Sequence, residues 1–257
     1  MINRKAAIFR VKSNERDLHG ITTEKSTGPG VCHTVRLASS CAPINLALKT
    51  APILSFSKLG CRRGGRQLFQ NIDCALEAGH WLYIAGANGV GKTSLLRMVC
   101  GLAPIDSGEI YWNEIPIHAQ TDIYRQDLCY LGHLNALQES MTVNENLAFT
   151  AALGGYSYDA EQTREVLGRF GMKGRGQQLA RHLSQGQKRR VALSRLALSQ
   201  AKLWVLDEPF VAMDEAGVRM LANLIASHLK KGGLAVLTSH QQVDIGDIPA
   251  QMLELRA

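Results

Sequence analysis

Apolar residues fall into three patterns along this chain. Ile53-Leu54-Ser55-Phe56-Ser57-Lys58-Leu59 alternates apolar and polar positions, as does Leu68 to Leu76, and both predict half-buried strands. Trp81–Ala85, Leu128–His133, Leu203–Leu206 and Leu234–Thr238 are short, nearly unbroken apolar runs, the pattern of strands covered on both faces. Apolar residues recur at helical spacing after Ser94, across about Thr142 to Lys173, and again from about Gln187 to Ser199 and Glu215 to Lys230. Glycines at 154, 155, 171 and 174 break the second of these stretches into pieces. Ser107–Trp112 reads as a return strand. Strands alternating with helices predict an α/β fold with a parallel sheet, preceded by a region of antiparallel strands.

Residues 1–50 show no such periodicity. A breaker cluster, Ser26-Thr27-Gly28-Pro29-Gly30, sits in their middle, and a disordered basic extension is the expected state. They hold eight Lys/Arg against three acids, a surplus of five out of the formal net charge of +7. The remainder is nearly neutral, so the basic balance does not predict a nucleic-acid-binding core. No uncharged apolar run nears the roughly 18 residues of a membrane span. The six cysteines are scattered without a Cys-x-x-Cys pair, which argues against a metal site or disulfide framework and for reduced thiols in the cytosol.

Chemistry enters between the run at Trp81–Ala85 and the following helix. Gly86-Ala87-Asn88-Gly89-Val90-Gly91-Lys92-Thr93 has the spacing of a phosphate-binding loop, and Ser94 continues it into the helix. Glycines let the backbone take positive φ and turn its amides toward an anion, with the positive helix end behind them. Lys92 carries a compact charge to the terminal phosphates, and the Thr93 hydroxyl can ligate Mg²⁺. Leu203–Leu206 delivers Asp207 and Glu208 at its carboxyl end, where ligands sit in open α/β sheets. Asp207 is placed to hold Mg²⁺ and Glu208 to orient an attacking water. Ser184, followed by Gly186 and Gln187, opens a helix that reads either as an ordinary capped helix or as a second anion site.

Leu183-Ser184-Gln185-Gly186-Gln187, taken with these motifs, resembles the signature of ATP-binding cassette (ABC) ATPases over residues 53–257. The resemblance implies a P-loop fold with a RecA-like core, an antiparallel β subdomain and an α-helical subdomain at about 121–182, within a cassette of residues 51–257. It also implies a homodimer in which Ser184 of one cassette closes on ATP held by the other, Asp214 as the acid of the D-loop, and His240 as a switch histidine near the γ-phosphate. Gln185 stands where the signature has its first glycine, and His133 where the family usually has a glutamine. Leu59 or Cys61 stands near the place of the aromatic that stacks on adenine.

Finer wording resembles the ATPases of cytochrome c maturation. It lies in Cys61-Arg62-Arg63 with Leu68-Phe69, Gly89 to Arg97, Tyr130-Leu131-Gly132-His133, Leu137 to Leu147, and Leu203 to Phe210. That resemblance implies a peripheral subunit on the cytoplasmic face of a bacterial inner membrane. It would work with a CcmB-like membrane permease and membrane-associated haem-handling proteins, using ATP and Mg²⁺, with no nucleic acid as partner. Two other readings stay open: the ATPase of another exporter, and a soluble ABC-type ATPase acting on ribosomes or nucleic acid.

Overall fold

The computed structural model describes residues 53–211, 213–239 and 244–256. The basic extension lies outside them. Strands β1 (Ile53–Arg63) and β2 (Arg66–Glu77) form an antiparallel hairpin closed by Gly64-Gly65, both at positive φ. Such a two-residue turn matches the twist of the strands, and glycine adopts it without a Cβ clash. β1 runs four residues past the alternating stretch, because register shifts around Leu59 and Cys61 and a left-handed Lys58 break its period of two. β4 (Ser107–Trp112) pairs with β1, and the short β5 (Ile115–Pro116) completes an antiparallel sheet of order β2-β1-β4-β5.

The second sheet is parallel, of order β6-β7-β8-β3-β9. Its members are β3 (Trp81–Ala85), β6 (Leu128–Leu131), β7 (Leu203–Leu206), β8 (Leu234–Thr238) and β9 (Ala250–Glu254). Every residue of β7 and β8 is buried. Alternate residues face opposite sides. Leu82, Ile84, Leu203, Val205, Leu234 and Val236 pack with helix α1 (Lys92–Val99) and the antiparallel sheet. Trp81, Trp204, Leu206, Ala235 and Leu237 pack with α5 (Gln185–Leu198) and α6 (Glu215–Lys230). Burial on both faces is why these strands read as continuous apolar runs. The fully buried Trp112 of β4 donates from Nε1 to Asp127 Oδ2 at 3.0 Å, and so ties the antiparallel sheet to the start of β6.

A third core, around Val143, Leu147, Leu167, Met172, Leu183 and Val191, joins α3 (Val143–Leu153) and α4 (Ala160–Arg169) to the start of α5. Thr142 and Glu145 form a capping box that starts α3, and Asp159 caps α4 through the amides of Glu161 and Gln162. Buried Asn146 binds the preceding loop. Its Nδ2 donates to the carbonyls of Gln138 and Thr142 at 3.0 and 2.9 Å, and its Oδ1 accepts from the Gln138 amide at 2.7 Å.

At the amino ends of β7 and β8, the His228 ring stacks on Trp204 with centroids 3.8 Å apart and planes 6° from parallel. Its Nε2 lies 3.1 Å from the carbonyls of both Lys202 and Leu234, so the neutral ring with its proton on Nε2 fits the site. Burial lowers the histidine's pKa, and the nearby Lys231 adds to this, while the two carbonyls oppose it. Below the ordinary histidine pKa of about 6.5 the unfolded chain takes up a proton that the folded one resists, so stability falls with pH through that range. Urea midpoints are therefore expected to drop between about pH 7.5 and pH 5, and His228→Phe to reduce that drop. An equal drop in both proteins would show that this ring is not a source of the pH dependence.

Candidate functional site

Four parallel strands end at one level. Ile84 lies beside Thr238, and Leu206 beside both Leu131 and Leu237. The residues that follow them, Gly86, Asp207, Ser239 and Gly132, therefore crowd the carboxyl edge of the sheet.

The loop from Gly86 to Thr93 leaves β3 and enters α1 at Lys92. Gly86, Gly89 and Gly91 have φ of 146°, 77° and 111°, values that side chains rarely tolerate. A Cβ on Gly86 would sit 2.7 Å from the Leu255 carbonyl, whereas one on Gly89 would meet nothing within 4 Å. A Cβ on Gly91 would meet the Phe69 ring at 3.1 Å, so Gly86 and Gly91 allow packing while Gly89 leaves the mouth of the loop open. Ala87 and Asn88 are exposed beside it, while Val90 is buried beneath. Lys92 is buried, and its Nζ donates to the Gly86 carbonyl at 2.8 Å and more loosely to Ala87. The ammonium is thereby held against the loop. No acid lies in the first turn of α1 to screen its positive end, where Ser94 also sits. Backbone amides, a helix terminus and a lysine together can bind a polyphosphate.

Below the loop, Asp207 is buried and accepts two hydroxyls. Thr93 Oγ1 donates to its Oδ2 at 3.0 Å, and Thr238 Oγ1 donates to its Oδ1 at 2.9 Å. The Glu208 amide in turn donates to Thr238 Oγ1 at 2.9 Å. One chain of hydrogen bonds therefore runs from the loop through Asp207 to the backbone of Glu208. Thr93 and Asp207 bring hard oxygens together, the donor set that Mg²⁺ prefers. Glu208 itself has φ 49°, a left-handed conformation that costs a non-glycine residue about 1–3 kcal/mol. The Arg189 guanidinium braces it from the other side, donating to the Glu208 carbonyl at 3.0 Å. The Tyr83 hydroxyl donates to the Ser239 carbonyl at 2.7 Å. Burial, and then the charge of Glu208, push the Tyr83 phenol up.

Thus Gly86 to Ser94, Asp207 and Glu208 share one edge. His133 follows β6 on an exposed loop at the same edge. The other residues singled out in the sequence do not join it. Ser184 caps α5 in a reciprocal box with Gln187, and Gly186 opens onto free space. Among the described residues no hydrogen bond links Ser184, Gly186 or Gln187 to the loop of residues 86–93. Asp214 caps α6 through the Gly217 amide at 2.8 Å. His240 lies outside the described residues. Leu59 and Cys61 are both wholly buried in the antiparallel region, so neither presents a face on which adenine could stack. Two contributors were missed in the sequence. Thr238 closes the apolar run of residues 234–237 with a hydroxyl, which was a usable signal, and that residue is fully buried. Arg189 sits in a run of basic residues that reads as solvated.

Comparison with known proteins agrees with this geometry. A family model described as ABC transporter matches residues 69–211. The cytochrome c biogenesis ATP-binding export protein CcmA of Albidiferax ferrireducens is 83% identical over 210 residues, which cover 82% of this chain and 100% of that protein. The CcmA of Dechloromonas aromatica is 50% identical over 193 residues, covering 75% of this chain and 95% of that one. Among solved structures, an ABC transporter ATP-binding protein of Pyrococcus furiosus superposes with a TM-score of 0.68 at 26% identity, covering 79% of this chain and 97% of its own. The chain belongs to the ABC transporter family, as an ATP-hydrolysing cassette of the CcmA group.

Proposed function

We propose that this cassette is the ATPase subunit of a membrane complex serving c-type cytochrome biogenesis. The name of the 83%-identical relative supports the biological setting. The observation that carries the chemistry is the hydrogen-bonded chain Thr93–Asp207–Thr238–Glu208 beneath a glycine cradle.

In this reading the amides from Asn88 to Thr93 and the Lys92 ammonium hold the β- and γ-phosphates of ATP. Thr93 and Asp207 fit Mg²⁺, which when bound neutralises charge on those oxygens. Glu208, carried rigidly at the end of β7, orients water toward the γ-phosphorus and accepts its proton. His133 borders the site from the β6 loop, and His240 is assigned the γ-phosphate side from its place after β8. Ser184, Gly186 and Gln187 lie on an exposed helix terminus outside their own chain's loop, so they serve a second copy of the cassette. In a homodimer, that terminus and the Asp214 turn close over the partner's ATP, and hydrolysis releases the closure.

The transmitting surface is the segment from His133 to Leu153. Leu134, Phe149 and Leu153 are exposed at 80%, 52% and 74% on a segment whose other face is core. Phe149 and Leu153 lie four residues apart on α3 and so share one helix face, and exposed apolar side chains so placed mark a contact surface. The occupant we assign is a CcmB-like permease, at the cytoplasmic face of the inner membrane and near haem-handling partners. No helix among the described residues is long and apolar enough to cross a membrane.

Glu208→Gln should keep ATP binding and lose turnover by about 10²-fold or more; wild-type turnover would remove the acid's role. Lys92→Ala should abolish the rise in melting temperature that ATP produces, and an unchanged rise would place the nucleotide elsewhere. Phe149→Glu should cut recovery of the protein with solubilised membranes several-fold, while the ATP-induced stabilisation persists. Equal recovery would mean that α3 faces solvent.

A further inference from the structure

Arg189 lies in the second turn of α5, the helix whose amino end carries Ser184. Its side chain runs back into its own chain. Nη2 donates to the Glu208 carbonyl at 3.0 Å, and Nη1 reaches the Gly132 carbonyl at 3.4 Å. The two carbonyls belong to the peptide units just after Glu208 and just before His133. One planar guanidinium therefore spans the backbone of Glu208 and the peptide that leads into His133. Its neighbours on α5 do other things: Lys188 pairs with Glu139 at 2.7 Å, and Arg190 is exposed against Gly171. Partial burial lowers the affinity of Arg189 for its proton, and the Asp207 charge opposes this without cancelling it.

Glu208 needs this support because its backbone is left-handed. Its amide is fixed by Thr238, and its carbonyl accepts from Arg189 and, at 3.3 Å, from the Val211 amide. A fork donor holds two carbonyls in a fixed relation; a lysine ammonium is a single point and does not. We infer that Arg189 is a positioning residue that joins the amino-terminal turn of α5 to Glu208 and to the His133 loop, so that closure of Ser184 on a partner's nucleotide is felt at the chain's own hydrolytic centre. The inference rests on the functional reading given to Glu208.

The test is steady-state ATP hydrolysis by the full-length chain, with melting temperatures measured with and without ATP. Arg189→Met should lower kcat about tenfold or more with KM for ATP within about twofold, because the nucleotide cradle is untouched. Its ATP-induced stabilisation should match that of wild type. Arg189→Lys should fall between the two, and it carries the test if the methionine variant does not fold. Adding Arg189→Met to Glu208→Gln should cause no further loss, since both act through one group. Wild-type kcat in a folded Arg189→Met or Arg189→Lys protein, beside an inactive Glu208→Gln protein, would overturn the role of Arg189 and leave Glu208 standing. Full turnover by Glu208→Gln would instead overturn the reading of the acid on which the inference rests.

Discussion

A buried carboxylate must be given donors, and here Asp207 takes them from two directions at once. Thr93 reaches it from the phosphate loop and Thr238 from the neighbouring strand. An ionised group left unpaired in such a place would be strongly destabilising. The hydroxyls therefore lock three chain segments into one arrangement. The strands cannot slide past one another without stranding Asp207, and the loop cannot lift without withdrawing Thr93. The order of the site follows from that constraint, because the Glu208 amide hangs from the Thr238 hydroxyl.

The sheet gives this junction a rigid base. β7 and β8 are buried throughout, with α1 on one face and α5 and α6 on the other. Trp204 and His228 close the amino ends of the same strands. The side chains proposed to act on phosphate thus emerge from elements held at both ends. The parts we assign to partners, the α5 terminus and the segment from His133 to Leu153, lie on the third core of short capped helices.

Much of this was legible in the sequence. The glycine spacing marked the loop, and the observed positive φ values are the ones that glycine was there to permit. Continuous apolar runs marked β3, β7 and β8, because two-sided burial leaves no polar alternation to misread. Other parts left no pattern. β9 is exposed along nearly its whole length, so Gln251-Met252-Leu253-Glu254 carries no face-selective periodicity. The helix α2 (Thr121–Gln126) buries only Tyr124 and is too short for a helical repeat. The extension of β1 was hidden by its bulges. In the site, Arg189 was invisible because a basic run signals solvent, and only the fold shows its side chain turning inward to two carbonyls. No aromatic residue marked a place for adenine in the sequence, and Leu59 and Cys61, which stand near that place by resemblance, are buried.

Thr93 and Asp207 are the paired oxygens proposed to meet the metal under a bound triphosphate. Binding of Mn²⁺, followed by its electron paramagnetic resonance in the presence of a non-hydrolysable ATP analogue, measures that pairing directly. The full chain should show phosphorus coupling to the ion, and Asp207→Asn should weaken Mn²⁺ binding about tenfold or more, a change worth roughly 1.4 kcal/mol at the least. Equal Mn²⁺ affinity in the two proteins, or an ion without phosphorus coupling, would contradict it.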